Sequence, residues 1–309
     1  MFLWLWICLG VLVGFFILSV LISALLFRGL LIRPKFSEKN APMAKPDKKI
    51  FFEQNKKALD WLSKQKTEEV FITSDGLKLR GIFLNQHSNK SVILIHGYCA
   101  KLEYRVQDAP FYFKQGFNVL LIDLRTHGKS EGKYITLGKF EASDLLKWIE
   151  FLNQKTNYSK IVLDGVSMGG ATVICASALD LPKNVSFAVA DCSYTTMMEL
   201  LRSTSKKYML IPNWILLGVG EGFARRFGKF SLYKDGPIHS VKKSKIPILF
   251  VRGDDDKFIP PRMTDELFNA CKADKKLIKV AGAGHAMSFS IDRKKCESAI
   301  LEFVKKYMD

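Results

Sequence analysis

The chain has 309 residues, 48% of them hydrophobic, so it can bury one sizeable α/β core and still leave an apolar segment for a membrane. Its six cysteines lack the spacing of a disulfide framework, and several fall in apolar runs, which predicts reduced thiols. The formal net charge is +17. No helix-turn-helix, zinc-binding or base-stacking motif accompanies this charge, so a nucleic-acid partner is not expected.

The first element is an apolar segment from Phe2 to Phe27 that contains no charged side chain. A helix over it would be about 39 Å long, which predicts a single transmembrane anchor within residues 1–32. A cleaved signal peptide fits less well, because no Lys or Arg precedes the segment and no clear A-x-A site follows it. Four basic residues follow the segment: Arg28, Arg33, Lys35 and Lys39. The positive-inside rule therefore places the rest of the chain in the cytoplasm.

The anchor and the basic charge each suggest a partner. Gly10 and Gly14 form a G-x-x-x-G pair, which either lets two anchors associate weakly or simply reflects the composition of membrane helices. Residues 1–27 carry no charged side chain, so all of the net charge belongs to the part of the chain outside the bilayer. This basic surface either attracts anionic lipid, at about 1 kcal/mol per Lys or Arg near the membrane, or is merely solvated.

Residues 33–66 are expected to connect the anchor to a folded domain. Positions 34–49 are polar and contain three prolines, which is typical of a semi-extended tether. Apolar residues then recur at helical spacing: Phe52, Ala58, Leu59 and Leu62. This spacing predicts a short amphipathic helix that packs on the folded domain.

The folded domain, residues 67–309, alternates between strand and helix patterns. Asp75-Gly76 separates two alternating runs and predicts a β-hairpin. Apolar runs typical of buried strands follow at 91–98, 118–123, 161–163, 188–191, 248–251 and 277–280. The alternation predicts an α/β fold with a mostly parallel central sheet and helices on both faces. Ligands of such sheets bind at the carboxyl ends of the strands.

One of these strands runs directly into Gly165-Val166-Ser167-Met168-Gly169, a G-x-S-x-G sequence. Glycines at this spacing permit a sharp strand-to-helix turn, the nucleophile elbow, which exposes the Ser hydroxyl above the sheet. The first N–H groups of the following helix would face negative charge developing there. The alternative is a glycine-rich turn with an N-capping Ser, so other residues must support a catalytic role.

A catalytic Ser needs a base, and the base needs an acid that orients it. Of the five histidines, only His285 follows the final predicted strand on a glycine loop that could reach the Ser. The others lie in turns or connectors, where structural roles are expected: His87, His96, His127 and His239. The loop Asp254-Asp255-Asp256 follows another predicted strand. Chain order alone leaves all three carboxylates open as the acid.

The order of Ser, Asp loop and His resembles that of the α/β-hydrolase superfamily, over roughly residues 68–309. That family's acid loop reads G-x-x-D-x-x-[IV]-P, and the matching positions here are Gly253, Asp256, Ile259 and Pro260. Its H-G-[FY] motif is matched by His96-Gly97-Tyr98, and its D-x-R-x-H-G-x-S turn by residues 123–130. The chain looks like the bacterial branch with one N-terminal membrane span and a short cap.

The resemblance implies a catalytic triad of Ser167, Asp256 and His285. It also implies an oxyanion hole made by the backbone N–H groups of Tyr98 and Met168, and a reaction that needs no metal or organic cofactor. Two positions depart from the family pattern: Val166 stands where a polar residue often precedes the Ser, and Arg252 where His is common. Neither departure removes a catalytic group.

Residues 193–245 form an insertion with two helical patterns, which predicts a small cap. Its apolar side chains, including Met198, Leu201 and Trp214, either line an acyl-binding groove or pack the cap on the body. Together with the anchor, this cap favours a carboxylesterase-like or lipase-like serine hydrolase acting on small or lipid-derived esters. The same triad would serve an acyltransferase or thioesterase, and a serine peptidase or a non-catalytic membrane scaffold are further alternatives.

Overall fold

The computed structural model describes residues 2–32, 45–205 and 212–308. The strands of the described residues are β1 (Glu68–Ser74), β2 (Leu77–Leu84), β3 (Lys90–Ile95), β4 (Asn118–Ile122), β5 (Lys160–Val166), β6 (Val185–Asp191), β7 (Ile248–Gly253) and β8 (Lys275–Val280). They form one sheet in the order β1-β2-β4-β3-β5-β6-β7-β8. β2 is antiparallel to both of its neighbours, and the other pairs are parallel. The predicted mostly parallel sheet is confirmed.

Helices lie on both faces of the sheet. The α-helices of the described residues are α1 (Phe2–Leu31), α2 (Lys45–Ser63), α3 (Ala109–Lys114), α4 (Lys139–Thr156), α5 (Met168–Ser177), α6 (Met197–Ser205), α7 (Asn213–Phe223), α8 (Pro237–Ser240), α9 (Pro261–Ala270), α10 (Ser288–Ile291) and α11 (Arg293–Tyr307). One core layer buries Trp148 of α4, Ile174 of α5 and Leu267 of α9. The other layer buries Tyr112 of α3 and Phe303 of α11.

Strand β3 shows why the central strands of the sheet have continuous apolar sequences. Ile93 and Ile95 point into the first core layer, and Val92 and Leu94 point into the second. Successive side chains of a strand face opposite sides of the sheet, so a strand covered by helices on both faces is apolar at every position. The predicted hairpin also forms: Asp75 and Gly76 have φ values of 51° and 74°, as a tight two-residue turn requires.

The predicted anchor forms one helix, α1, which is long and apolar enough to cross a membrane and is mostly uncovered by the rest of the protein. Its N-terminal half, including Gly10 and Gly14, is exposed, and nothing lies within 4 Å of a Cβ built at either glycine. Its C-terminal half carries four buried residues at every fourth position: Ser19, Ser23, Phe27 and Leu31. Residues spaced in this way form one stripe along a helix.

This stripe brings α1 against α7 of the cap. The Phe27 ring occupies a notch at Gly220, where an added Cβ would lie 2.0 Å from Cζ of Phe27. Further along the pair, the rings of Phe16 and Trp214 stack with their centroids 6.3 Å apart. The two helices therefore pack side by side over several turns.

Backbone hydrogen bonds fix the end of α1 to the body. The N–H of Ile135 donates to the carbonyl of Leu31 at 2.8 Å, and Ile32 forms an antiparallel bridge with Tyr134. Most of the predicted tether lies outside the described residues, and α2 already begins at Lys45. The described residues of the predicted cap insertion contain α6, α7 and the short α8, with a π-helical turn at Ala224–Gly228 after α7.

We expect Gly220→Ala to lower the thermal unfolding midpoint of the full chain in detergent, because the new methyl group collides with Phe27 and overpacking costs about 1–3 kcal/mol. Gly218→Ala is the matched control on the same helix, since nothing lies within 4 Å of its added Cβ. That control should unfold at the same temperature or slightly higher, as Ala favours helices over Gly by about 1 kcal/mol. Equal midpoints for the two variants would contradict the packing of α1 on α7.

Candidate active site

Ser167 lies in the sharp turn between β5 and α5. Its backbone has φ 57° and ψ −117°, a conformation that residues with a side chain rarely adopt. A Cβ at Gly165 would lie 2.2 Å from the carbonyl oxygen of Gly169, and one at Gly169 would lie 2.4 Å from that of Ile95. The turn therefore requires glycine at both positions, which is the spacing that the sequence shows.

The structure brings the three predicted triad side chains into one hydrogen-bonded chain. His285 Nε2 lies 3.0 Å from Ser167 Oγ, and His285 Nδ1 lies 2.8 Å from Asp256 Oδ2. Only 7%, 4% and 5% of Ser167, His285 and Asp256 is exposed, respectively. An imidazole between a hydroxyl and a carboxylate can take the hydroxyl proton while the carboxylate stabilises the resulting cation.

The folded acid loop gives the carboxylate of Asp256 a different environment from those of the two preceding aspartates. The second carboxylate oxygen of Asp256 accepts hydrogen bonds from the N–H groups of Phe258 and Ile259, at 2.9 and 2.8 Å. Asp254 and Asp255 are both exposed, and Asp254 pairs with Arg252. Asp256 is thus the one member of the trio whose carboxylate is buried and fixed toward the imidazole.

The loop after β3 is held by two histidines with structural roles. His96 Nε2 accepts a hydrogen bond from the N–H of Leu124 at 3.0 Å, so the ring is neutral, and burial lowers its pKa. His127 Nε2 accepts one from the N–H of Cys99 at 3.2 Å. The loop runs directly past the nucleophile, because a Cβ on Gly97 would lie 3.2 Å from Ser167 Cβ. The predicted oxyanion donor Tyr98 is the next residue.

Ser167 lines two cavities. The first, which we call the His285 cavity, is lined by Ser167 and His285 and by the aromatic residues Phe51, Phe52 and Tyr104. The second, which we call the Leu30 cavity, includes Ser167, Met168 and Leu30 of α1, together with apolar side chains of the cap. A ligand at Ser167 could therefore place one group in each cavity.

Sequence reasoning identified only part of the lining of these cavities. Leu201 lines the Leu30 cavity, as predicted. Met198 is buried in the core and Trp214 stacks on Phe16, and neither lines either cavity. Phe52 belongs to the predicted amphipathic helix, which packs on the body and also contributes to the His285 cavity.

A buried polar cluster beneath the His285 cavity was missed entirely. Arg105 donates to Asp108 and, at 2.6 Å, to Asp164, which also accepts from the hydroxyl of Tyr112 at 2.8 Å. Burial raises the pKa of Asp164 to about 6 and that of Asp191 to about 8. No local pattern marks these residues, because they meet only after the strands and loops are assembled.

Cys192, Asp256 and His285 offer three metal-ligand atoms within 4.8 Å of one another. Two of these residues already bond to each other in the Ser167 chain. Burial raises the pKa of the Cys192 thiol well above its usual value. Because a thiol binds metal as the thiolate, this cluster fits the hydrogen-bonded arrangement better than a metal site.

Comparisons with known proteins agree with this geometry. A family model described as the α/β hydrolase fold matches residues 90–230. The chain is 28% identical to the uncharacterized protein YqkD of Bacillus subtilis over 247 residues, covering 79% of this chain and 81% of that protein. It is 35% identical over 132 residues to thiohydrolase aneE of Aspergillus aculeatus, covering 41% of each chain.

Among solved structures, an esterase of Pyrococcus furiosus is 26% identical and superposes with a TM-score of 0.65, covering 81% of this chain and 96% of the esterase. The family model extends over β5 and β6, the strands that precede and follow Ser167 in the chain. The sheet order, the tight turn at Ser167 and these matches lead to one conclusion: the chain has the α/β-hydrolase fold.

Proposed function

We propose that this protein is a serine hydrolase that cleaves carboxylic esters, of small acyl groups or of lipid-derived molecules, through an acyl-enzyme on Ser167. The observation that carries the proposal is the unbroken chain of hydrogen bonds from Ser167 through His285 to Asp256. The similarity to an esterase of known structure supports the same class of reaction.

In this mechanism His285 takes the proton of Ser167 while the hydroxyl oxygen attacks the acyl carbonyl. Tyr98 and Met168 then donate their backbone N–H groups to the oxyanion. Met168 is the first residue of α5, where the N–H groups have no partner within the helix. One such donor contributes about 2.7–4 kcal/mol of transition-state stabilisation. His285 returns the proton to the leaving alcohol, and water then releases the acyl group by the reverse sequence of transfers.

A thioesterase or acyltransferase would use the same groups. The similarity to a thiohydrolase over 132 residues favours testing thioesters alongside oxygen esters. Added acceptor alcohols or amines distinguish transfer from hydrolysis, because transfer yields a new ester or amide instead of the free acid.

We further propose that α1 anchors the protein in the cell membrane with the α/β-hydrolase domain in the cytoplasm. The charged residue Arg28 lies at the end of the helix that leads into the domain. The cap helix α7 packs along α1, so the cap and the Leu30 cavity, which cap residues line, lie at the membrane surface. This position suits an amphiphilic ester presented by the bilayer.

Ser167→Ala should abolish both ester turnover and labelling by a fluorophosphonate probe, because the probe forms its bond to the activated hydroxyl. The matched control is Ser63→Ala, a hydroxyl removed from an exposed position on α2. Labelling is read by in-gel fluorescence with purified protein. Stoichiometric labelling of Ser167→Ala would refute the assignment of the nucleophile.

Asp256→Asn should lower kcat by about 10⁴, because the amide cannot hold the imidazole in the required tautomer. Asp255→Asn changes the neighbouring, exposed carboxylate in the same way and should leave kcat unchanged. Steady-state kinetics on a p-nitrophenyl ester compare the two variants. Equal losses, or a loss confined to Asp255→Asn, would assign the acid differently.

A green fluorescent protein fused to the C-terminus should fluoresce in a bacterial host, whereas alkaline phosphatase fused at the same point should be inactive, since each reporter works on one side of the membrane only. The fusion protein should stay in the membrane fraction after a carbonate wash. An active phosphatase fusion would show that the domain is exported, as a signal sequence or a reversed anchor requires.

A further inference from the structure

The membrane helix α1 contributes directly to the surface next to Ser167. Leu30, in its last turn, lines the same cavity as Ser167 and Met168. We propose that the Leu30 cavity is the acyl-binding site and that Leu30 determines which acyl groups fit. This inference rests on the proposed ester hydrolysis and adds a specificity role for a helix that otherwise serves as an anchor.

The position of His285 decides which cavity takes which half of the ester. After attack, His285 must give its proton to the leaving oxygen, so the alcohol portion lies on the side where the imidazole is accessible. That side is the His285 cavity. The acyl portion then occupies the other cavity that Ser167 lines, the Leu30 cavity, which includes Met168 and does not include His285.

The chemistry of the Leu30 cavity suits a hydrocarbon chain. The cap supplies apolar side chains to it: Met197, Leu200 and Leu201. Its two tyrosine hydroxyls are already used, because Tyr194 donates to the carbonyl of Leu137 at 2.9 Å and Tyr98 donates to that of Leu30 at 2.8 Å. With these polar atoms satisfied, the gain from binding there comes from burying apolar surface.

Contacts at the end of α1 fix the position of Leu30, so its side chain can limit the length of the cavity. Its neighbours Phe27 and Leu31 are buried, with 2% and 0% exposed. Its carbonyl accepts the Tyr98 hydroxyl, and the next carbonyl, of Leu31, accepts the N–H of Ile135. The side chain therefore keeps its place beside Ser167 unless the whole end of α1 moves.

The test uses the full chain in detergent and a series of p-nitrophenyl esters from acetate through butyrate and octanoate to laurate. Leu30→Trp should lower kcat/KM for octanoate and laurate by about tenfold or more while acetate hydrolysis changes by less than about threefold, because the indole fills space that only long chains use. Leu30→Ala should shift the preference toward longer chains. Leu25→Trp places the same side chain on the exposed side of α1 and should keep the wild-type profile.

The outcomes separate this inference from the proposed function. If the wild type hydrolyses the esters and both Leu30 variants retain its chain-length profile, or lose activity equally on every ester, the acyl-site assignment is overturned. If the wild type neither turns over any ester nor reacts with a fluorophosphonate, the ester hydrolase proposal fails first. Fluorophosphonate labelling of each variant checks that Ser167 is still activated, and Leu30→Ala provides the answer should Leu30→Trp fail to fold.

Discussion

The position of the Ser167 hydroxyl at the carboxyl edge of the sheet depends on close contacts between backbone segments on either side of the turn. The carbonyl of Gly169 lies where a side chain on Gly165 would be, and the carbonyl of Ile95 lies where one on Gly169 would be. The strained conformation of Ser167 costs about 1–3 kcal/mol, and the burial of β5 and α5 on all sides holds it in place. As a result the hydroxyl stands at a fixed point above the strand ends. Short loops after β7 and β8 are then sufficient to bring in Asp256 and His285.

Much of this arrangement can be predicted from the sequence, because it depends on local patterns. Apolar runs give the buried strands, and two glycines at fixed spacing give the turn at Ser167. His285 follows from its glycine loop after the last strand. The choice of Asp256 is different: three adjacent carboxylates look alike, and only the family resemblance distinguishes them. The physical difference is that Asp256 receives the N–H groups of Phe258 and Ile259, which depends on the folded loop.

Contacts between distant segments could not be predicted. Arg105 and Asp164 are 59 positions apart, and neither belongs to a pattern that foretells an ion pair. Tyr98 and Leu30 are 68 positions apart, and one of them lies in a segment that composition assigns to a membrane. Trp214 illustrates the reverse case. Its place in the cap suggested a substrate contact, whereas the ring packs against Phe16 of α1.

The spacing of buried residues along α1 distinguishes its two halves. A helix that served only to hold the protein in a bilayer would need apolar residues all round and no stripe buried in protein. The C-terminal half has such a stripe, and burying a side chain as large as Phe27 contributes about 1.5–3 kcal/mol. Moving α7 away as a free lid would expose that ring and empty the notch at Gly220. The helix α7 is therefore fixed to α1, which also contributes Leu30 to the cavity beside Ser167, so a displacement of α1 would change the shape of that cavity.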